Sequence, residues 1–558
     1  MGSEGAMPEL VLGPLLRYVS GTEATVWVET SDACEVEVLG HREPTFRVEG
    51  HHYALVCIEG LEPATQYEYE VRLDGEVHWP QPGSDLPPSA IRTIDADKDL
   101  DICFGSCRVA VPHEAPFTEP KDETDAGHEV DALWVLARQM AAGERDDWPE
   151  QLFLLGDQVY VDEGSPKTRK KIKERRGTET PPFDEVTDFE EYTWLYRESW
   201  EEPLIRWLFA NVSVSMLWDD HDMSDDWNIS RGWLLEMQQK SWWHRRVVGC
   251  MGSYWIYQHI GNLSPRELRE NEIYQQMRGN QTGEEVLFAW AHRIQATGDG
   301  TRWSFCRDFG RTRAVFIDAR AARVLEEGRR AIVDDDEWDW IVEHTDGDFD
   351  HLLICTTIPW LLSPAFDRLE AWNEQMVESN AWGRLPAWVS EKVRREVDFD
   401  HWPAFGESFA KLRDLLHDVA CGKHGKAPAS VVVLSGDVHH AYLAEVAWPR
   451  SQNGASAERA PVYQAVCSPY RNPLDEKERR VVRWGFGKPL YAITRLLARA
   501  AGTPDPGIRW RTVEGPCFDN QVATLEIDGR RSLMRLDKTV PGEDGTDALE
   551  ESFSRRLA

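Results

Sequence analysis

Cys107, the pair Asp157 and Tyr160, the run Asp219-Asp220-His221, and the pair Asp437 and His439 are side chains of the kinds that bind metal ions or move protons. They stand in the short segments Phe104-Gly105-Ser106-Cys107, Gly156-Asp157-Gln158-Val159-Tyr160, Trp218-Asp219-Asp220-His221-Asp222 and Ser435-Gly436-Asp437-Val438-His439. Each segment follows an apolar run that reads as a buried strand. Strand ends that hand over to loops are where open α/β sheets build their sites. Carboxylates, imidazole, thiol and phenol together can hold a hard cation beside a redox-type metal, which points to a polynuclear metallohydrolase.

Asp157 is the natural bridging ligand, because a carboxylate has two oxygens and can join cations ~3.5–4 Å apart. Tyr160, three residues on, can fold back within the same turn as a phenolate, and Cys107 offers a thiolate. Both are strong donors that suit ferric iron better than calcium or magnesium. Taken singly, each is better read as a packed tyrosine or an inert buried cysteine. An imidazole such as His221 titrates near neutrality and suits proton donation; a surface histidine between exposed aspartates is the alternative. The strand Val431-Val432-Val433-Leu434-Ser435 leads into an exit turn expected to set the alternate side chains Asp437 and His439 on one side, with His440 pointing away.

The elements that must position these groups follow from periodicity. Residues 9 to 94 alternate in twos, as in Ala24-Thr25-Val26-Trp27-Val28-Glu29, with Gly and Pro turns between, which predicts a small antiparallel β-sandwich. Beyond Thr93-Ile94-Asp95-Ala96-Asp97 the texture changes. Leu100-Asp101-Ile102-Cys103-Phe104 and Gln151-Leu152-Phe153-Leu154-Leu155 read as buried strands, and Val130 to Ala142 has helical spacing between them. Strands separated by helices imply βαβ units and a largely parallel sheet. The expected division is a sandwich over 1–95, an α/β domain over 96–540 and a polar, mobile tail over 541–558. The α/β domain would carry a helical, tryptophan-rich insertion over about 165–300 and, late in the chain, an amphipathic helix near 479–500 and a hairpin around Asp528-Gly529 at a sheet edge. The late helix reads as packed on the domain, with a membrane-surface contact as the alternative.

The four ordered motifs resemble those of PhoD-type alkaline phosphatases, members of the calcineurin-like metallophosphoesterase superfamily, and they span most of residues 98 to 470. The resemblance implies two packed mixed β-sheets flanked by helices. It implies metal ligation by Cys107, Asp157, Tyr160, Asp220, Asp437 and His439, and proton donation to the leaving group by His221. Asp219 is an alternative to Asp220, and Asn228 is either a further ligand through its amide oxygen or a helix cap. It further implies an iron and calcium cofactor, and hydrolysis of phosphate esters by metal-activated water, chiefly diesters with some alkaline monoesterase activity. Two departures bear on the metals. Asp437 replaces a histidine that the wider superfamily has, and Leu352-Leu353-Ile354-Cys355-Thr356-Thr357-Ile358-Pro359-Trp360 lacks another. Fewer nitrogen donors shift the second site toward oxygen ligation and calcium. The segment Gly60-Leu61-Glu62-Pro63-Ala64-Thr65-Gln66-Tyr67 resembles a corner of a fibronectin type III domain, in which Trp27 would be a core residue, and such a module would serve as a spacer or cleft wall.

Composition narrows the alternatives. With 62 Lys and Arg against 97 Asp and Glu, the net charge of −35 disfavours nucleic-acid binding, which needs a cationic surface. The basic run Lys167 to Arg176 is an excursion from that balance, read as a solvated face or as a rim attracting anions. The ten cysteines have no regular spacing, so reduced thiols are expected. The sequence shows no signal-like segment and no span long enough to cross a bilayer, so the expectation is a soluble, cytoplasmic protein acting on a small or polymeric phosphate ester. The other classes considered are a non-catalytic scaffold on the same fold and a metallohydrolase of a different ester. Glycine-serine elbows, phosphate loops and HExxH pairs are absent.

Overall fold

The computed structural model describes residues 7–95, 98–297, 302–326, 328–379, 381–449, 459–542 and 546–558. The early residues form two four-stranded antiparallel sheets. One runs in the order Leu10–Val19, Glu23–Thr30, His51–Glu59, Phe46–Val48; the other runs His41–Pro44, Glu35–Val38, Val71–Leu73, Glu76–Trp79.

Two larger sheets follow. In the six-stranded sheet the parallel strands Ser213–Leu217, Gln151–Leu155 and Leu100–Gly105 continue into antiparallel Gln521–Asp528, Arg531–Val540 and Ala548–Arg556. In the seven-stranded sheet Thr312–Ile317, His351–Thr356, Ser430–Ser435 and Val462–Val466 are parallel. Phe305–Phe309 pairs antiparallel at one side, and Ala441–Ala447 and Arg509–Cys517 at the other. Gln151–Leu155, His351–Thr356, Ser430–Ser435 and Val462–Val466 within the sheets, and Ser213–Leu217 at an edge, are buried along their whole length, as expected for parallel strands covered on both faces. The sheets pack on each other through Ile102, Phe104, Phe153 and Leu155 from one and Phe316, Leu353, Val432 and Leu434 from the other. Helices cover the outer faces, giving a mixed α/β architecture of two packed sheets behind a β-sandwich.

Three expectations are corrected. Of the tail expected over 541–558, the described stretch Ala548–Arg556 is a strand: it pairs with Arg531–Val540 and forms the sheet edge, so the Asp528-Gly529 hairpin lies one strand inward. This strand is mostly exposed and polar, so it carries no hydrophobic signal of its own. Trp27 is fully buried but faces the helices, with ring centroids 5.2 Å from Tyr257 and 6.3 Å from Trp200, whereas Val26 and Val28 point to the opposite face of their strand. The helical region after residue 165 is interrupted by the sheet strand Ser213–Leu217, so it is not one insertion. The basic run forms the helix Pro166–Arg176, whose last two arginines are engaged by Asp188 and Glu191. None of the described helices is long and apolar enough to cross a membrane.

The sandwich is fastened to the α/β body by buried polar contacts. Arg17, fully buried, donates to the carbonyls of Tyr257 and Gln258 at 2.7 Å and to that of Val214 at 3.1 Å. Those two helix carbonyls lie in the π-type turn Trp255–His259, where the ordinary i→i+4 pattern is broken and acceptors are free. Nearby, His51 of the sandwich lies between Glu29, at 2.9 Å, and Glu190 of the helix Phe189–Trp200, at 2.8 Å. Burial alone would lower the His51 pKa, but the two carboxylates outweigh it and raise it to about 9. A raised pKa gives stability that is full below the unfolded value near 6.5 and is lost as pH rises through 9. The urea midpoint of the native chain should therefore fall between pH 6.5 and 9 by the equivalent of up to about 3 kcal/mol. The His51→Gln variant should lack that component.

Candidate metal centre

All the sequence-selected residues except Asn228 lie in turns that leave parallel strands, or just beyond them. The two sheets bring these turns together at one end. Asp437 N donates to Ser106 Oγ at 2.8 Å, and a Cβ on Gly436 would stand 2.1 Å from the same oxygen, so only glycine permits this approach. Gly156, at φ +106°, is likewise pressed against the Asp219 side chain. Cys107, Asp157, Asn228, Asp437 and His439 all adopt left-handed backbone, with φ between 52° and 68°. Non-glycine residues seldom do so, and such conformations cluster at functional sites. It follows that Asp437 and His439 do not alternate along an extended segment as expected; each is aimed by its own turn.

Asp157 is central. Its Oδ2 lies 3.3 Å from Cys107 Sγ and 3.4 Å from the Tyr160 hydroxyl, and Asn472 Nδ2 reaches that hydroxyl at 3.4 Å. Asp157, Asp219 and Asp220 each offer a carboxylate oxygen within 4.8 Å of the others. Asp157 Oδ1 and Asp219 Oδ2 are buried with no hydrogen-bond partner, and Asp220 Oδ1, also buried, meets only the Arg320 guanidinium at 3.2 Å. Asp220, His221 and Asp225 form an overlapping group that reaches solvent at Asp225. Thus both Asp219 and Asp220 point inward. His439 donates from Nδ1 to the Asn472 carbonyl at 2.8 Å, which leaves Nε2 as an acceptor, and burial lowers its pKa and keeps it neutral. Asn228 donates its amide to the Arg320 carbonyl at 3.1 Å; the cap of the following helix is Ser230 instead. His440 turns away to pack against Tyr442, Phe486 and Phe518.

Electrostatics holds these groups in their protonated forms when no cation is bound. Burial, reinforced by Asp220, Asp222 and Asp437 against the opposing charge of His221, holds the Asp157 carboxyl well above the usual carboxylate range. Burial does the same to the thiol of Cys107 and the phenol of Tyr160, with Asp157 adding to both. A bound cation reverses that balance and favours the deprotonated donors. The donor set, orphaned carboxylate oxygens with a thiol and a phenol, fits a metal ion.

Residues missed in the sequence complete the surroundings. Arg320, fully buried, pairs with Asp219 and Asp400 and reaches Asp220 at 3.2 Å and Asp437 at 3.5 Å. His401 Nε2 lies 3.0 Å from Asp437 Oδ2, with Glu370 at 2.8 Å on Nδ1. Asp437 is therefore held by His401 and Arg320, which keep its carboxyl low although burial alone would raise it. Asp222 Oδ2 accepts from the backbone N–H of Asp157 and of Asp219, at 3.1 and 2.8 Å, and fixes both turns. Asp162 holds His221 Nδ1 at 3.0 Å, and the imidazole lies against the Tyr160 ring. Burial opposes protonation of His221, but Asp162 and Asp220 raise its pKa well above the ordinary value.

Residues 132–280 match the family model of PhoD-like phosphatases. Residues 7–91 match a domain of unknown function, DUF7800. Among solved structures, that of PhoD aligns over 100% of this chain and 94% of its own length, with 12% identity and a TM-score of 0.58. Purple acid phosphatase PPD1 from seeds of yellow lupin (Lupinus luteus) aligns over 98% and 74%, with 11% identity and a TM-score of 0.45. The likeness to PhoD is one of fold and takes in both the sandwich and the two packed sheets. No curated protein matches the chain.

Removing the buried cation Arg320 would leave its carboxylate partners uncompensated. Arg320→Met is expected to cost about 3–5 kcal/mol in urea unfolding of chelator-treated protein. Part of that loss should return when a divalent cation is added.

Proposed function

We propose that this chain is a metal-dependent phosphoesterase acting on phosphodiesters, with alkaline phosphomonoesterase activity as a lesser capacity. The observation that carries this reading is the convergence of buried carboxylates of Asp157, Asp219 and Asp220 at the ends of parallel strands, with Asp157 Oδ1 and Asp219 Oδ2 left without a partner. The match of residues 132–280 to PhoD-like phosphatases supports the choice of phosphate esters.

In this reading Cys107, Asp157 and Tyr160 would hold iron, since thiolate and phenolate favour a ferric ion, while Asp219, Asp220 and Asp437 would supply the oxygen-rich side suited to calcium. His439, neutral and with Nε2 free, completes the ligands, and Asn228, whose NH2 donates to the Arg320 carbonyl, keeps its amide oxygen as a further candidate donor. Bound cations would neutralise phosphoryl oxygens and lower the pKa of water. Asp222 and Arg320 hold the carboxylates in place. Asp162 fixes His221 by Nδ1, so the Nε2 proton is the one presented to a departing alkoxide. The N-terminal sandwich is read as a fibronectin type III-like brace. Ten unpaired cysteines fit a reducing compartment.

Purified protein supplied with calcium is expected to hydrolyse bis(p-nitrophenyl) phosphate. Chelation and Asp157→Asn should each abolish turnover, while His221→Asn should lower kcat by about 10²–10⁴-fold and leave metal content unchanged. Metal-loaded protein without turnover would rule out the phosphoesterase reading.

A further inference from the structure

In a chain of net charge −35, residues 476–500 carry seven Lys and Arg against two Glu. They fold as the helices Glu476–Gly485 and Lys488–Ala500. The second helix rests on the helix Pro364–Glu378 through the small buried side chains Thr494 and Ala498. Its opposite face is left to solvent. Ile493 and Leu496 are 55% and 64% exposed there, Trp484 of the preceding helix is 67% exposed, and Val481 stands out beside it. The helix Arg384–Glu396 packs on the same Pro364–Glu378 helix and also bares an apolar stripe, Leu385, Trp388, Val389 and Val393, at the 3–4 residue spacing of one helical face. The two helices meet where the Trp382 indole donates to the Ala500 carbonyl at 3.4 Å.

Exposed apolar surface of this extent is unusual on a soluble protein and marks an interaction surface. Charge decides the partner. Lys488, Arg495 and Arg499 flank the apolar strip and form no ion pair among the described residues. A cavity of about 330 Å³ behind them is lined by Arg368, Lys488, Arg495, Arg499 and Arg509 together with Tyr491. The acid on that wall, Asp505, is already engaged by Arg509 at 2.9 Å. Interfacial helices combine these features: bulky apolar residues including tryptophan on one face, with basic residues bordering them. A second copy of this chain is the poorer partner, because the basic patch would meet itself in a symmetric pair.

We infer that this face docks the protein peripherally on an anionic phospholipid bilayer, with Trp388, Trp484, Ile493 and Leu496 entering the headgroup boundary and the arginine-lined cavity receiving an anionic headgroup. The surface adjoins the metal centre on two sides. The helix Arg384–Glu396 runs on to Asp400 and His401, and Phe486, between the two C-terminal helices, packs on His440 beside His439.

Flotation of the full-length protein with vesicles tests this without reference to catalysis. Native protein is expected to float with vesicles of phosphatidylglycerol and phosphatidylcholine at low salt, and to bind pure phosphatidylcholine at least about tenfold more weakly. Trp484→Ser with Leu496→Ser should reduce binding by about tenfold or more. Arg495→Ala with Arg499→Ala should reduce it by about thirtyfold at low salt and less at high salt. These side chains are exposed, so unchanged thermal melts would show that the variants fold. Failure of the native protein to float with anionic vesicles would overturn the inference, as would binding indifferent to both pairs of substitutions. A concentration-dependent dimer abolished by the apolar substitutions would overturn it in favour of a second copy.

Discussion

Asp157, Asp219, Asp220 and Asp437 converge in a space largely closed to water. Carboxylates so placed repel one another and resist ionisation unless positive charge is brought to them. Much of the surrounding structure meets that demand. Arg320, on the turn after Thr312–Ile317, is threaded among Asp219, Asp220 and Asp437, and also pairs with Asp400. His401 adds a second cationic contact to Asp437 and is itself held by Glu370. The protein's own cations are thus concentrated around Asp219 and Asp437. Asp157 has none in contact and keeps only the thiol and phenol against one of its oxygens. Asp157 is therefore the carboxylate whose ionisation an external cation would favour most.

Position is secured from behind by a relay that begins in the N-terminal sandwich. Arg17 grips the carbonyls of the π-type turn, and Gln258 within that turn donates to Asp222 at 3.2 Å. Asp222 in turn ties the backbone of Asp157 and Asp219. Each link is buried, so each lost bond would strand a polar group away from water at a cost of about 1–3 kcal/mol. The sandwich contributes no candidate ligand, yet it anchors the turn from which two of them are aimed.

The distribution of charge over the surface extends the same logic. A strongly acidic protein repels anions in general, and long-range steering would not bring a phosphate ester toward it. Positive charge near the centre is local: Arg320 within, and the arginines of Lys488–Ala500 to one side. The tryptophans divide in the same way. Trp218, Trp255 and Trp303 are packing residues of the helical region, while Trp388 and Trp484 stand in solvent.

The strand-end motifs were legible because they depend on short-range features. An apolar run of five or six residues specifies a buried strand, and the polar residues just after it must emerge at its end. Alternation in twos likewise predicted the sandwich. Arg320 also follows a strand, but arginine is not a metal ligand and gave no signal by type. His401 and Asp400 follow a helix, so a search of strand ends passes over Asp398-Phe399-Asp400-His401. Ala548–Arg556 is polar along its length and becomes a strand only because Arg531–Val540 offers it an unpaired edge. The sequence by itself determined which side chains could bind metal and which strands would carry them. Tertiary structure decided which carboxylates are neutralised from within, since Arg320 meets Asp219 across 101 residues and Asp400 across 80. Pairings at that separation depend on how the two sheets stack, and no local periodicity records it.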